Sequence, residues 1–218
     1  MSLTELGATG GLPASADRCT IAEMDTHRKQ VRHYHEPGDC HELTFSTYRR
    51  LPLLTDHRWQ QMLSDSIDRA IERHAFHLAA FVFMPEHVHL LVYPTTHAAR
   101  LDRLLAAIKR PLSYRIKEQL RESDHPLLRK LTVRERPGTF RFRFWQEGPG
   151  YDRNLSSSKA ISAAVDYIHL NPVRRGLCEN ALSWKWSSAR CYHYPEEPVD
   201  ADLPSVHGFP PDVGTATN

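Results

Sequence analysis

The sequence predicts an α+β fold: a ferredoxin-like βαββαβ sheet with helices on one face and a further, C-terminal helix on the face that carries two histidines. Three observations point there. Apolar residues recur at three- and four-residue steps over about 56–73 and again over about 98–122, the period of an amphipathic helix. Shorter β-rich or alternating runs at 42–48, 77–84, 87–93 and 139–146 surround those helices. The resulting order, β-α-β-β-α-β, is the split βαβ plan. The 218 residues, 40% apolar and 25% charged, suit one globular domain of ordinary size with tails. Apolar runs such as 78–84 are of strand length, well short of a membrane span.

Each element has its own warrant. Residues 1–30, rich in Gly, Ala, Ser and Thr without a sustained period, predict a disordered tail. They lack the basic-then-apolar order of a signal peptide, so a cytoplasmic protein is expected. The folded domain is expected over 31–193. Pro37-Gly38 marks a turn among His33, His35, Cys40 and His41, whose spacing matches no closed zinc site. Cys19, Cys40, Cys178 and Cys191 are scattered and read as reduced thiols. The first strand, 42–48, ends at Arg49-Arg50. The first helix buries Trp59, Met62, Leu63, Ile67, Ala70 and Ile71. The second buries Leu101, Leu104, Leu105, Ile108 and Leu112, with Pro111 placed to bend or split it. Residues 139–146 alternate cleanly and supply the fourth strand, with Arg141, Arg143 and Trp145 on the side opposite Phe140, Phe142 and Phe144. Glycine and proline make 147–151 a loop. Serine hydroxyls at 156–158 cap a helix starting near 158, with Ile161, Ala164, Val165 and Ile168 as its stripe and Pro172 near its end. A packed segment at 184–190 closes the domain, and the proline-rich 194–218 reads as a disordered end.

Charge is uneven along the chain. The net is +2, yet residues 100–159 hold 15 Lys and Arg against 7 Asp and Glu. Such a segment suits a polyanion, nucleic acid first among them, or simply a solvated helical face. Charge alone does not choose between them.

Chemistry concentrates in two places. At strand period His87 and His89 point to one face, and Val88, Leu90 and Val92 to the other. Two neutral imidazoles side by side can hold one divalent cation, and leaving them unpartnered on a buried face is costly; the plain alternative is a solvated sheet face. On the C-terminal helix Tyr167 and Asn171 are four apart, so one face presents a phenol and an amide together. A phenol attacks a phosphodiester where a metal withdraws charge from it, and Asn171 can offer its carbonyl oxygen to the same cation. Tyr114 and Glu118 repeat that spacing on the second helix. Glu86 reads as a turn residue or as a partner of an imidazole. His169 faces elsewhere on its helix, toward the core or DNA. Single strands are bound by stacking on aromatics and by backbone contacts from Arg and Lys. Arg141, Arg143 and Trp145 fit that role, as do Arg174 and Arg175 beside Tyr167, with Lys109 and Arg110 weaker candidates.

Two blocks, Met84-Pro85-Glu86-His87-Val88-His89-Leu90-Leu91 and Tyr167-Ile168-His169-Leu170-Asn171-Pro172-Val173-Arg174-Arg175-Gly176-Leu177, together resemble the REP-associated tyrosine transposases, members of the HUH single-strand DNA transposases. Phe144-Trp145-Gln146, Tyr151-Asp152-Arg153-Asn154 and residues 184–188 are also family-like, so the likeness spans about 30–193. His-x-His alone carries little; both blocks in this order, on a βαββαβ reading, carry much. Glu147-Gly148-Pro149-Gly150 departs from the common form as a loop insertion.

The resemblance implies nicking and joining of single-stranded DNA at palindromic, REP-like repeats. It further implies a 5′-phosphotyrosine intermediate and a free 3′-hydroxyl, with no nucleotide cofactor. By position it makes Tyr167, rather than Tyr114, the catalytic nucleophile. His87 and His89 become metal ligands, Asn171 the third ligand, and Mg²⁺ or Mn²⁺ the cation. The implied partner is single-stranded or hairpin DNA, not a membrane, and both monomers and dimers occur among such enzymes. Competing readings are a non-catalytic nucleic-acid-binding regulator on the same fold and a metal-dependent phosphodiesterase that uses water.

Overall fold

The computed structural model describes residues 39–148 and 150–209. The tail expected over 1–30, the turn with His33 and His35, and residues 210–218 lie outside them.

In chain order the elements are β1 (Cys40–Ser46), α1 (His57–His74), β2 (Phe76–Met84), β3 (His87–Pro94), α2 (Leu101–Glu122) and α3 (Leu127–Leu131). Then come β4 (Thr132–Arg136), β5 (Thr139–Phe142), β6 (Tyr151–Leu155), α4 (Ser158–Arg174) and α5 (Ala189–His193). The main sheet has the order β2-β3-β1-β6 with every neighbouring pair antiparallel. That is the ferredoxin-like arrangement, and the α+β expectation holds.

The two faces of the sheet carry different cores because side chains alternate along each strand. Leu43, Phe45, Phe81, Phe83, Val88, Leu90 and Val92 pack under α1 and α2. The opposite face offers Ala80, Val82, Leu91 and Tyr93, onto which α4 lays Ile161, Ala164, Val165 and Ile168. Each fully buried Ile or Val there contributes about 1.5–3 kcal/mol relative to exposure. The small residues Ala79, Ala80 and Ala164 let α4 come down close to the strands. The α1 helix begins where the Asp56 carboxylate accepts from the N–H groups of Arg58 and Trp59. Among the described residues no helix is long and apolar enough to cross a membrane.

Several expectations are corrected. Residues 139–146 do not enter the main sheet. The Arg136-Pro137-Gly138-Thr139 turn folds β5 back on β4 as a separate two-stranded sheet, Thr132 opposite Phe142 and Val133 opposite Arg141. Local closure of so short a loop costs little chain entropy, and period-two alternation names no partner strand. The fourth strand of the main sheet is β6, which begins at Tyr151, the last residue of the stretch read as a loop, and runs through residues to which no element was assigned. The clean alternation also stops at Phe142: Phe144 and Trp145 are both buried. Pro111 does not split α2, and α4 runs through Pro172 to Arg174. A proline removes its own N–H bond and crowds the carbonyl four residues before it, yet the helix continues past Pro172. It ends at Arg174, and beyond it Gly176, φ +66°, turns the chain so that the Gly176 and Leu177 N–H groups donate to Val173 O and Pro172 O.

The proline-rich end from 194 is also packed over much of its described length. Leu203 is buried in the main core, Ser205 N donates to the Asp68 carboxylate, and His207 N donates to Leu78 O at 2.7 Å. Composition predicted a mobile end, but β2 is an edge strand whose free carbonyls and amides need covering. Residues 186–188 cover the rest of that edge: Phe83 N donates to Trp186 O, and Ser188 N to Phe81 O. The packed role expected of 184–190 is therefore observed.

One glycine fixes where β6 lies. Gly150 has φ +87°, and a Cβ there would sit 2.3 Å from the Thr44 carbonyl oxygen. Gly150→Ala is expected to destabilise the fold by about 2 kcal/mol or more through strain at a left-handed position and a backbone clash. It would be read as a lower urea midpoint at unchanged m-value; an unchanged midpoint would contradict it.

Candidate active site

The site forms where the C-terminal half of α4 crosses the histidine end of β3. His87 and His89 are 5% and 4% exposed, and their Nε2 atoms are 3.0 Å apart. Antiparallel register places Thr44 of β1 directly opposite His89, and its hydroxyl lies 2.8 Å from His89 Nδ1. The Glu86 carboxylate accepts from His87 Nδ1 at 3.2 Å. Burial alone would raise the Glu86 pKa, but its hydrogen bond to Arg175 and the neighbouring His87 outweigh that and hold it below the usual carboxylate range. An ionised Glu86 puts the proton on His87 Nδ1 and leaves the Nε2 lone pair facing His89. Burial is also the largest influence on the histidines. It lowers the His87 pKa despite Glu86, and with His87 and Arg50 nearby it pushes His89 down to about 3. Both imidazoles are therefore neutral at neutral pH, the state that binds metals.

On α4, Tyr167, Asn171 and Arg174 share one face by their four- and three-residue spacing. The Asn171 amide nitrogen lies 3.2 Å from His89 Nε2. The Tyr167 ring meets His89 edge-on with centroids 5.4 Å apart, and the Arg174 guanidinium lies 5.2 Å from the Tyr167 ring centre. Tyr167 is 39% exposed, and its hydroxyl has no hydrogen-bond partner among the described residues.

The donor set itself tests whether a cation fits. Among the described residues no group of three or more His, Cys, Asp or Glu is placed to hold a metal. The candidate set is instead two imidazoles and one amide, and Asn171 would need a half-turn of its carboxamide to present oxygen. Two nitrogen donors about 2.1 Å from a cation and at right angles would be about 3.0 Å apart. The observed Nε2 spacing matches. Thr44 can accept as well as donate, so His89 is free to hold its proton on Nδ1. The set fits a divalent ion that tolerates imidazole and completes its shell with water or substrate oxygens, Mn²⁺ more readily than Mg²⁺.

The structure thus brings together His87, His89, Tyr167, Asn171, Arg174 and Arg175, the last bonded to Glu86 at 2.7 Å. It does not bring Arg141, Arg143 or Trp145 there. Arg141 and Arg143 both pair with Glu135 of β4, Arg143 also with Glu147. Trp145, expected as a stacking surface, is 7% exposed, packed edge-on against Phe45 and Phe144, with its indole N–H donating to Lys109 O. Tyr114 is 67% exposed on α2, whose apolar side packs on the opposite face of the sheet, so the rival tyrosine is not near the histidines. His169 is a core residue, 2.8 Å from the Ser188 hydroxyl and with its pKa lowered by burial to about 4. Sequence reasoning missed Thr44, which only strand register reveals, and left Glu86 between two roles; its place beside His87 was the available signal.

An antiparallel ferredoxin-like sheet, a buried His-x-His and a tyrosine helix on the same face are thus combined in one site. Residues 39–135 match the family described as "Transposase IS200 like". A curated relative in Haemophilus influenzae, named "Putative REP-associated tyrosine transposase", is 25% identical over 130 residues, 58% of this chain and 68% of that one. A solved REP-associated tyrosine transposase bound to a REP hairpin superposes with a TM-score of 0.58 at 22% identity, covering 78% of this chain and 89% of that one, a likeness of fold. Over these stretches the chain is similar to proteins described as transposases, one of them named a REP-associated tyrosine transposase.

Proposed function

We propose that the protein cuts and rejoins single-stranded DNA beside palindromic, hairpin-forming repeats, with Tyr167 as nucleophile. The observation that carries this is the meeting of Tyr167 and Asn171 with His89 and His87, four residues from two distant segments at one point. The fold neighbour's REP hairpin supplies the substrate class, single-stranded or hairpin DNA. In this reading the Tyr167 oxygen attacks the phosphorus, a 5′-phosphotyrosine bond forms, and the 3′-oxygen leaves as a hydroxyl. The reverse attack by a 3′-hydroxyl restores the phosphodiester and frees Tyr167. One ester replaces another at each step, so no nucleotide cofactor is consumed.

His87, His89 and Asn171 would hold Mg²⁺ or Mn²⁺, which when bound draws charge from the phosphodiester and eases attack on it. Glu86 and Thr44 orient the two imidazoles from behind. Arg174, which lies over the Tyr167 ring, and Arg175 would meet the phosphate backbone. Arg141 and Arg143 remain candidates only for contacts with the more distant duplex stem.

Labelled hairpin DNA with single-stranded flanks tests this by trapping the protein–DNA adduct on a denaturing gel. With Mn²⁺ an adduct is expected. Chelation with EDTA is expected to abolish it while leaving DNA binding largely intact, and added Mn²⁺ to restore it. Binding without any adduct would favour the regulator; cleavage without an adduct would favour hydrolysis by water.

A further inference from the structure

Arg50 sits in the turn after β1, and that turn is held in an unusual backbone. Arg49 and Arg50 both have φ of 52°, in the left-handed region that residues other than glycine seldom adopt. Thr47, fully buried, is what holds it. Its N–H donates to Glu86 O at 3.0 Å, and its hydroxyl lies 2.6 Å from Leu51 O and 3.0 Å from Glu86 O. The turn is thereby fastened to the β2–β3 connection, one residue before His87. Strain kept in place by its surroundings is a mark of a functional position.

The consequence is where the Arg50 side chain goes. Its guanidinium reaches Glu86 Oε1 at 3.4 Å, the same oxygen that binds Arg175 at 2.7 Å and His87 Nδ1 at 3.2 Å. Glu86 balances one of these two guanidiniums and not both, so positive charge is left over at the edge of the histidine pair. Arg50 makes the longer contact and is 60% exposed, which leaves most of its five donors free for an anion. Arg143, by contrast, is 19% exposed and already bridges two carboxylates.

We propose that Arg50 grips one backbone phosphate of the single strand at the histidine pair, with Glu86 and the Thr47 turn holding it in reach. The inference deepens the function proposed above and rests on it for the identity of the strand. A guanidinium fork suits a phosphate's two free oxygens, and the lysine that would keep the charge would lose that fit.

The test reads binding alone, in a Tyr167→Phe background where no bond is cut. The probe is a labelled REP-type hairpin oligonucleotide with single-stranded flanks, made as a set in which each flank phosphate in turn is replaced by an uncharged methylphosphonate. With Arg50 present, replacement at one linkage is expected to weaken binding about tenfold, the scale of a charge-assisted hydrogen bond. With Arg50→Asn, a residue that tolerates the left-handed backbone, the same replacement should cost less than about twofold because the partner is already gone. Equal losses in the two proteins at every linkage would overturn the proposal. Should Arg50→Asn lower the thermal midpoint, Arg50→Lys decides by the same comparison. The wild-type adduct assay stands apart: failure to form an adduct would remove the strand-transfer function, while this coupling would still report whether Arg50 holds a phosphate.

Discussion

Tyr167→Phe is expected to bind hairpin DNA as the parent does and to form no covalent adduct. The substitution deletes one oxygen and keeps the ring that meets His89 and Arg174. That oxygen has no protein partner among the described residues, so stability should change by no more than about 0.5 kcal/mol. Cleavage should fall by about 10⁴-fold or more, because no other group takes the nucleophile's place. Tyr114 is not a substitute, since α2 holds it on the far side of the sheet. The measurement is single-turnover cleavage of labelled DNA alongside an equilibrium binding titration. Undiminished cleavage by the phenylalanine variant would mean that water, not a phenol, attacks.

The second large effect is expected at His89. His89→Ala removes the imidazole around which Thr44, His87, Asn171 and Tyr167 are arranged. Cleavage is expected to fall at least about 100-fold, the upper end of losses seen when groups supporting a metal site are removed. Mn²⁺ affinity, read by the ion's spin resonance on titration, should fall with it. Stability should fall by about 1–3 kcal/mol, since Asn171 and Thr44 lose a buried partner. Because burial holds His89 neutral down to a pKa of about 3, protons should not compete with the cation near neutral pH. Unchanged Mn²⁺ affinity in the variant would place the metal elsewhere.

Much of the site was legible in the sequence because two simple periods determine it. Alternation along β3 puts His87 and His89 on one face, and a four-residue step on α4 puts Tyr167 beside Asn171. The facing of α4 follows as well, since its stripe of Ile161, Ala164, Val165 and Ile168 needs a surface and the other face of the sheet is taken by α1 and α2. What was not legible depends on pairing between distant segments. The alternation over 139–142 is real, yet its partner is the adjacent β4 and not the sheet, while β6, only five residues long and mostly polar, follows directly on a glycine- and proline-rich turn. Trp145 looked like an exposed stacking surface because alternation was extended past the end of β5, where the chain turns into the core beside Phe45. The packing of residues 203–207 against α1 and β2 has no periodic signature at all; it meets the needs of an edge strand that composition does not reveal.

The central claim is that the phenol carried by α4 over the histidine pair becomes joined to DNA. Digesting the trapped wild-type adduct with trypsin and sequencing the nucleotide-bearing peptide by mass spectrometry tests it most directly. The expected result is a nucleotide on Tyr167 in the peptide spanning residues 160–174. A nucleotide on Tyr114, on Tyr151 or on a residue other than tyrosine would contradict it.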